Sequence, residues 1–149
     1  MILLRRRRTI PLRAEDIMSQ PPVTVKLDTP LREISKIMID KRIGSVLVVD
    51  EEGKLRGIVT ERDIVFACSQ GWNADERRAW EVMTENPIAV KRDENILEVI
   101  RKMRDVNVRH IPVVDEDGKP VGVISSRDVL DIILTIMGLA TAIREAAGL

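Results

Sequence analysis

Apolar residues in this chain follow two alternating patterns. Short β-branched runs, Ser45-Val46-Leu47-Val48-Val49 and Ile111-Pro112-Val113-Val114, are continuous rather than alternating, which predicts strands covered on both faces. Ahead of each run lies helical spacing: Leu31, Ile34, Ile37 and Met38 share one helix face, as do Ile96, Val99, Ile100 and Met103. Thr29 is the expected N-cap of the first of these helices, with Pro30 at its first position. Short extended stretches come before the helices, Pro22-Val23-Thr24-Val25 and Pro87-Ile88-Ala89-Val90. After each β-branched run an acidic turn follows, holding Gly53 or Gly118 where a positive φ costs little. A second strand over residues 55–59 or 121–124 then leads into a helix starting at Thr60 or Ser125.

The pattern is one β-α-β-β-α unit written twice. Residue n set against residue n+65 matches without a gap: Met18 with Met83, Pro22 with Pro87, Val25-Lys26 with Val90-Lys91, Val48-Val49-Asp50-Glu51 with Val113-Val114-Asp115-Glu116, and Arg62-Asp63 with Arg127-Asp128. So long a match predicts duplication of one structural unit. Either copy is too small to cover both faces of its own sheet, so the two must pack on each other in an α/β (α+β) fold. The expected divisions are a basic arm over 1–13, a first repeat over 14–70, a second over 71–137 with its connecting segment, and a tail over 138–149. In the connection a short helix is expected near residues 75–82, with Trp72 and Trp80 covering the seam. Residues 129–143 are apolar nearly all round a helix, which predicts burial on two sides and hence a homodimer.

Composition narrows the function. The chain is 44% apolar and 32% charged, with 24 Lys+Arg against 24 Asp+Glu, so no overall bias draws it to nucleic acid or to a membrane surface. Aromatics are limited to Phe66, Trp72 and Trp80, too few for a base-stacking platform. One cysteine, Cys68, allows no internal disulfide and is expected as a small buried hydrophobe. With His110 as the single histidine, neither a zinc site nor a Cys–His catalytic pair is indicated. No apolar run reaches the roughly 18–20 residues of a membrane span, and Met1-Ile2-Leu3-Leu4 precedes the basic residues in the wrong order for a secretion signal. A cytoplasmic location is therefore expected. Arg5, Arg6, Arg7 and Arg8 read first as a solvated arm and second as a nucleic-acid or polyphosphate contact.

The residues that carry chemistry recur at the second strand's end: Gly57-Ile58-Val59-Thr60-Glu61-Arg62-Asp63 and Gly122-Val123-Ile124-Ser125-Ser126-Arg127-Asp128. Thr60-x-x-Asp63 and Ser125-x-x-Asp128 have the form of a helix capping box, which is the plain reading of either alone. Three features add a ligand. The motif occurs twice, each copy follows a glycine that would let a ligand approach the backbone, and each has an arginine before the aspartate. A helix N-terminus attracts anions, a carboxylate can accept from a vicinal diol, and arginine grips phosphate bidentately. Ribose and phosphate together suggest a nucleotide. Arg109 and His110 form a basic pair before the second repeat's strand, where the first repeat has Lys41-Arg42-Ile43-Gly44-Ser45. Since Gly44 and Ser45 replace that pair, the two pockets are expected to be unequal.

These residues resemble a tandem pair of cystathionine-β-synthase (CBS) domains, a Bateman module, of the stand-alone type. The resemblance covers about residues 14–137 and rests on Asp16-Ile17-Met18, Glu81-Val82-Met83, the stretch 111–118 and the paired glycine-to-aspartate motifs. It implies two β-α-β-β-α units packed sheet to sheet about a pseudo-twofold axis, with clefts that take AMP, ADP, ATP or S-adenosylmethionine. It further implies ribose contacts from Asp63, Asp128, Thr60 and Ser125, and phosphate contacts from Arg62, Arg127, Arg109, His110 and Arg42. An adenine slot would be lined near Thr24, Val25, Ala89, Val90, Ile111 and Pro112. The implied role is regulatory, with a homodimer through the last helix and an effector protein as partner. No catalytic residue, cofactor or metal site is implied: Asp63 and Asp128 stand without an adjacent base or nucleophile. The alternatives are a nucleic-acid-associated regulator and a purely structural dimerisation module.

Overall fold

The computed structural model describes residues 12–148. Arg5, Arg6, Arg7 and Arg8 lie outside the described residues. The first repeat supplies α1 (Ala14–Ile17), β1 (Thr24–Lys26), α2 (Leu31–Lys41), β2 (Ser45–Val49), β3 (Leu55–Thr60) and α3 (Glu61–Ser69). The second supplies α4 (Ala79–Val82), β4 (Thr84–Glu85), β5 (Val90–Lys91), α5 (Ile96–Asp105), β6 (His110–Val114), β7 (Pro120–Ser125) and α6 (Ser126–Ala146). The expected β-α-β-β-α order is present in both. In each unit the first strand pairs parallel to the second and the second antiparallel to the third, with a register shift at Val48/Val49 and again at Val113/Val114.

The two units exchange their leading segments. The first sheet runs β1-β2-β3-β4, so its edge strand comes from the second repeat. In the reverse direction, Ser19 of the first repeat bridges Val123 of β7, with Ser19 N–H donating to the Val123 carbonyl at 2.8 Å. The cores follow the same exchange. Ala14 and Met18 are buried with Val90, Ile96, Val99 and Ile111 of the second repeat, while Ala79 is buried with Val25, Leu31, Ile34 and Val59 of the first. Each packed body therefore draws on both repeats. Even Leu12 belongs to the second, its carbonyl accepting from Ile96 N–H at 2.9 Å.

This exchange explains the two motif glycines. A Cβ on Gly57 would stand 2.5 Å from Met83 Sδ and 3.0 Å from the Thr84 carbonyl. On Gly122 it would stand 2.6 Å from Met18 Sδ and 3.0 Å from Met18 Cβ. What approaches the backbone at these positions is the other repeat's methionine, not a ligand.

Within each sheet the side chains alternate. Val46, Val48 and Val59 face their own helices, while Leu47 and Ile58 are buried on the opposite face, where the two sheets meet. That is why β2 is buried at every position, as its continuous apolar pattern predicts.

Several local expectations change. Pro30, not Thr29, caps α2, and Thr29 Oγ1 instead accepts from Lys26 N–H at 3.0 Å in the preceding turn. Cys68 is exposed, because the inward position on α3 falls one residue earlier, on buried Ala67. Trp72 packs on the first core, edge-on to Phe66 and beneath the Arg77 guanidinium, whereas Trp80 is 55% exposed and does not join either buried core. The short connecting helix is present as α4, and the last helix runs unbroken to Ala146, so no tail begins at residue 138.

Gly57→Ala should destabilise the fold by about 1–3 kcal/mol, the usual cost of overpacking. In the Gly57→Ala/Met83→Ala double variant the two costs should fall short of additive by about 1 kcal/mol, as contacting positions do. Urea unfolding of the four chains measures this, and full additivity would remove the arm contact as the reason for the glycine.

Candidate functional site

Both motifs fold as capping boxes. Thr60 N–H donates to Asp63 Oδ2 at 2.7 Å and the Thr60 hydroxyl reaches the same oxygen at 3.3 Å. In the second repeat Ser125 N–H and hydroxyl donate to Asp128 Oδ2 at 2.8 and 3.0 Å, and Asp128 N–H donates back to Ser125 Oγ at 3.2 Å. In both boxes the cap bonds fall on Oδ2, and a carboxylate offers about four acceptor sites in all. Burial pushes the Asp63 carboxyl above its usual range, with the Thr60 bonds acting in the opposite direction.

Backbone bonds fix what stands beside each box. Ser126 N–H donates to the Arg109 carbonyl at 2.8 Å, and Glu61 N–H to the Gly44 carbonyl at 3.1 Å. The entry to β6 is thereby held against the start of α6, and the entry to β2 against the start of α3.

A cleft of about 690 Å³ opens where these parts meet. From the second repeat it is lined by Ser125, Arg127, Asp128, Arg109 and His110. From the first come Ser19, Pro21, Pro22 and Val23, and then Arg42, Gly44, Ser45 and Glu61. Five second-repeat residues predicted from the motif are thus gathered with Arg42 of the first. Thr60, Arg62 and Asp63 are not among the lining residues and stand at the corresponding start of α3.

The residues expected around an adenine slot stand next to this cleft or, as Ala89 and Val90 do, at the corresponding place in the other repeat. None of Thr24, Val25, Ala89, Val90, Ile111 and Pro112 lines this cleft. Val25, Val90 and Ile111 point into the two cores, and buried Pro112 is set by alternation on the face between the sheets. The wall is formed one to three residues earlier, by Pro21, Pro22 and Val23, which the pairing of Ser19 with Val123 carries across to the other repeat. Glu61 and Asp131 are further lining residues not anticipated from the sequence. The available signal for Glu61 was that the motifs differ there, Ser126 being its counterpart.

Arg42 is held in an unusual backbone. It ends α2 with φ 53° and ψ 48°, the left-handed region in which glycine or asparagine is the ordinary choice. The equivalent position, Asn107, has φ 53° as well and carries the ordinary residue. The first repeat thus accepts strain to keep an arginine on the cleft.

Comparison with known proteins now bears on the site. A CBS domain profile matches residues 14–70 and 79–135. The chain belongs to the CBS domain family. It is 38% identical over 115 residues to an L-aspartate semialdehyde sulfurtransferase of Methanocaldococcus jannaschii, a match that takes in 77% of this chain and 22% of that enzyme. It is 29% identical over 133 residues to a CBS domain-containing protein of Dictyostelium discoideum, covering 83% of this chain and 92% of the other. This chain therefore spans only about a fifth of the sulfurtransferase. Among solved structures it resembles the CBS domain pair of protein MJ0100 in complex with 5′-methylthioadenosine and S-adenosyl-L-methionine. That likeness has a TM-score of 0.76 at 35% identity over 82% of this chain and 95% of that one. It also resembles a CBS domain protein from Pyrobaculum aerophilum complexed with AMP, with a TM-score of 0.78 at 29% identity over 87% of this chain and 99% of the other.

His110 gives the site a pH signature. Burial holds its imidazole below the ordinary value, with Glu61 and Asp128 raising it and Arg109 lowering it. Below about pH 6.5 the unfolded chain then binds more proton at this position than the folded one, so folding stability falls as pH falls. Urea unfolding from about pH 7.5 to about pH 5.5 should show that loss, and His110→Gln should show less of it. An identical pH slope in the variant would mean that His110 is not held neutral.

Proposed function

We propose that this chain is a regulatory binding module that takes an adenosine ligand, either AMP, ADP, ATP or an S-adenosylmethionine-type nucleoside, in the cleft at Asp128. The observation that carries this reading is the convergence in one cavity of a capped aspartate, a helix N-terminus and arginines from both repeats. Asp128 Oδ1 accepts from the ribose hydroxyls, with Ser125 beside it. Arg127, Arg109 and Arg42 face the phosphate or carboxylate end, and Pro21, Pro22 and Val23 form the apolar wall for the base. The kinship with domain pairs solved with AMP and with S-adenosyl-L-methionine supports the ligand class. The role is recognition rather than turnover, and its output passes to an effector protein. Thr60, Arg62 and Asp63 form the corresponding half of a second, weaker site, because the facing wall there carries Asn107 where this cleft has Arg42.

The test is thermal shift and calorimetry with AMP, ADP, ATP and S-adenosylmethionine against a guanine nucleotide. At 100 times its dissociation constant a ligand contributes about 2.7 kcal/mol, equivalent to about 5–10 °C in a domain of this size. Asp128→Ala should weaken binding about 10- to 100-fold, the loss of a charge-assisted hydrogen bond, and more than Asp63→Ala does. Arg42→Asn should stabilise the free chain by about 1 kcal/mol, by relieving the left-handed arginine, while weakening phosphate-bearing ligands. Failure of every adenosine ligand to bind would overturn the reading.

The same module is proposed to be a homodimer. On α6, Leu130, Leu134 and Met137 recur at helical spacing and are 54%, 57% and 60% exposed, with Leu139 and Ile143 continuing the apolar surface. Val65 and Phe66 of α3, at 66% and 50%, are likewise uncovered. A self-complementary helix face of this kind is what a twofold interface buries. Leu134→Glu/Met137→Glu should convert the dimer to monomer by light scattering while leaving the fold intact. A monomeric parent chain at tens of micromolar would rule the dimer out.

A further inference from the structure

The cleft also holds the chain's single histidine, and charge from both repeats converges on it. His110 opens β6 on the face between the two sheets, partly buried. Across from it stands Gly44, at the entry to β2. A Cβ there would lie 3.2 Å from His110 Nε2 and 3.3 Å from Glu61 Oε1, so imidazole and carboxylate border one point from opposite repeats. Glu61 comes from the start of α3 and Asp128 from the start of α6, while Arg109 is the strand neighbour and Arg42, Arg127 and Asp131 complete the charged lining.

In the free chain these influences act in opposite directions, and the net effect lowers the imidazole pKa. Burial disfavours the imidazolium most and Arg109 adds to it, while Glu61 and Asp128 favour it. An anion in the cavity changes that balance. It adds negative charge beside the ring and gives the second N–H an acceptor, and both effects favour the protonated form. A nucleoside without phosphate brings neither.

We propose that a phosphate-bearing ligand entering this cleft draws one proton from solvent onto His110, so that the cleft prefers anionic adenosine ligands over uncharged ones increasingly as pH falls. The proposal rests on the reading of the cleft as a nucleotide site. His110 acts in it as a specificity-determining residue: neutral, it tolerates an uncharged 5′ substituent, and protonated, it rewards a phosphate.

The chain without an affinity tag has one imidazole, so its Cε1–H proton resonance reports His110 alone. That resonance is followed from about pH 5 to about pH 8.5 in the free chain and with saturating AMP, ATP or 5′-methylthioadenosine, saturation being verified by calorimetry. The free midpoint should lie below about 6.5 and rise by about one pH unit or more with AMP or ATP, which equals about a tenfold gain in affinity across the titration. With 5′-methylthioadenosine it should stay within a few tenths of the free value. Calorimetric binding of AMP with an unmoved midpoint overturns the proton linkage and leaves the nucleotide site standing, as does an equal rise with 5′-methylthioadenosine. Absence of binding by all three overturns the nucleotide site and the linkage with it.

Discussion

The structure depends on one reciprocal contact: Met18 lies across Gly122, and Met83 lies across Gly57. Each methionine belongs to the leading segment of one repeat and completes the body of the other. Without the crossing, Ala14 and Ala79 would leave the cores that bury them, β3 would lose β4, and β7 would lose the bridge from Ser19. The crossing also forms the cleft. Pairing of Ser19 with Val123 sets Pro21, Pro22 and Val23 opposite Asp128, so the apolar wall and the polar motif come from different repeats. Folding of the pair and assembly of the site are therefore one event.

Much of this was legible in the residues, and the reason is periodicity. The helical spacing of Leu31, Ile34 and Met38 and the continuous run of β2 each have one physical solution, and the structure adopts it. Duplication doubled that signal. The motif hydroxyls and carboxylates were legible because a capping box is a local arrangement, complete within four residues. What could not be read was whatever depended on the exchange. The gapless repeat predicts two units that pack on each other, but it does not show that their leading segments change places. Pro21, Pro22 and Val23 line the cleft because the crossing brings them there, and no local pattern shows that arrival. The role of Gly57 and Gly122 was assigned to a ligand because no sequence pattern shows Met83 and Met18 arriving from 26 and 104 residues away.

The capped aspartate joins two readings that had looked like rivals. A capping box needs one carboxylate oxygen, and Asp128 Oδ2 accepts from Ser125 twice while Oδ1 remains for other use. The cap also holds the carboxylate still, so a ligand need not order it on binding. A structural role at a helix start is thus compatible with the recognition role proposed for the same residue. Arg42 shows the opposite relation, because its left-handed backbone serves the cleft at the expense of the helix it ends.

Asymmetry between the repeats has a steric origin as well as a chemical one. Among the positions that differ where the units meet are Arg42 against Asn107, Gly44 against Arg109, Ser45 against His110, and Glu61 against Ser126. Strict symmetry would place a long side chain at both 44 and 109. A side chain at 44 would begin 3.2 Å from His110 Nε2 and 3.3 Å from Glu61 Oε1, closer than most carbon contacts tolerate. With the histidine and the glutamate meeting at this point, glycine at 44 is the residue that leaves both where they stand. Once one side is filled, arginine at 42 can serve the same cleft from the opposite wall, and the two sites are no longer equivalent. Duplication supplies two equal frames, and the narrow space between them favours a histidine on one side and a glycine on the other.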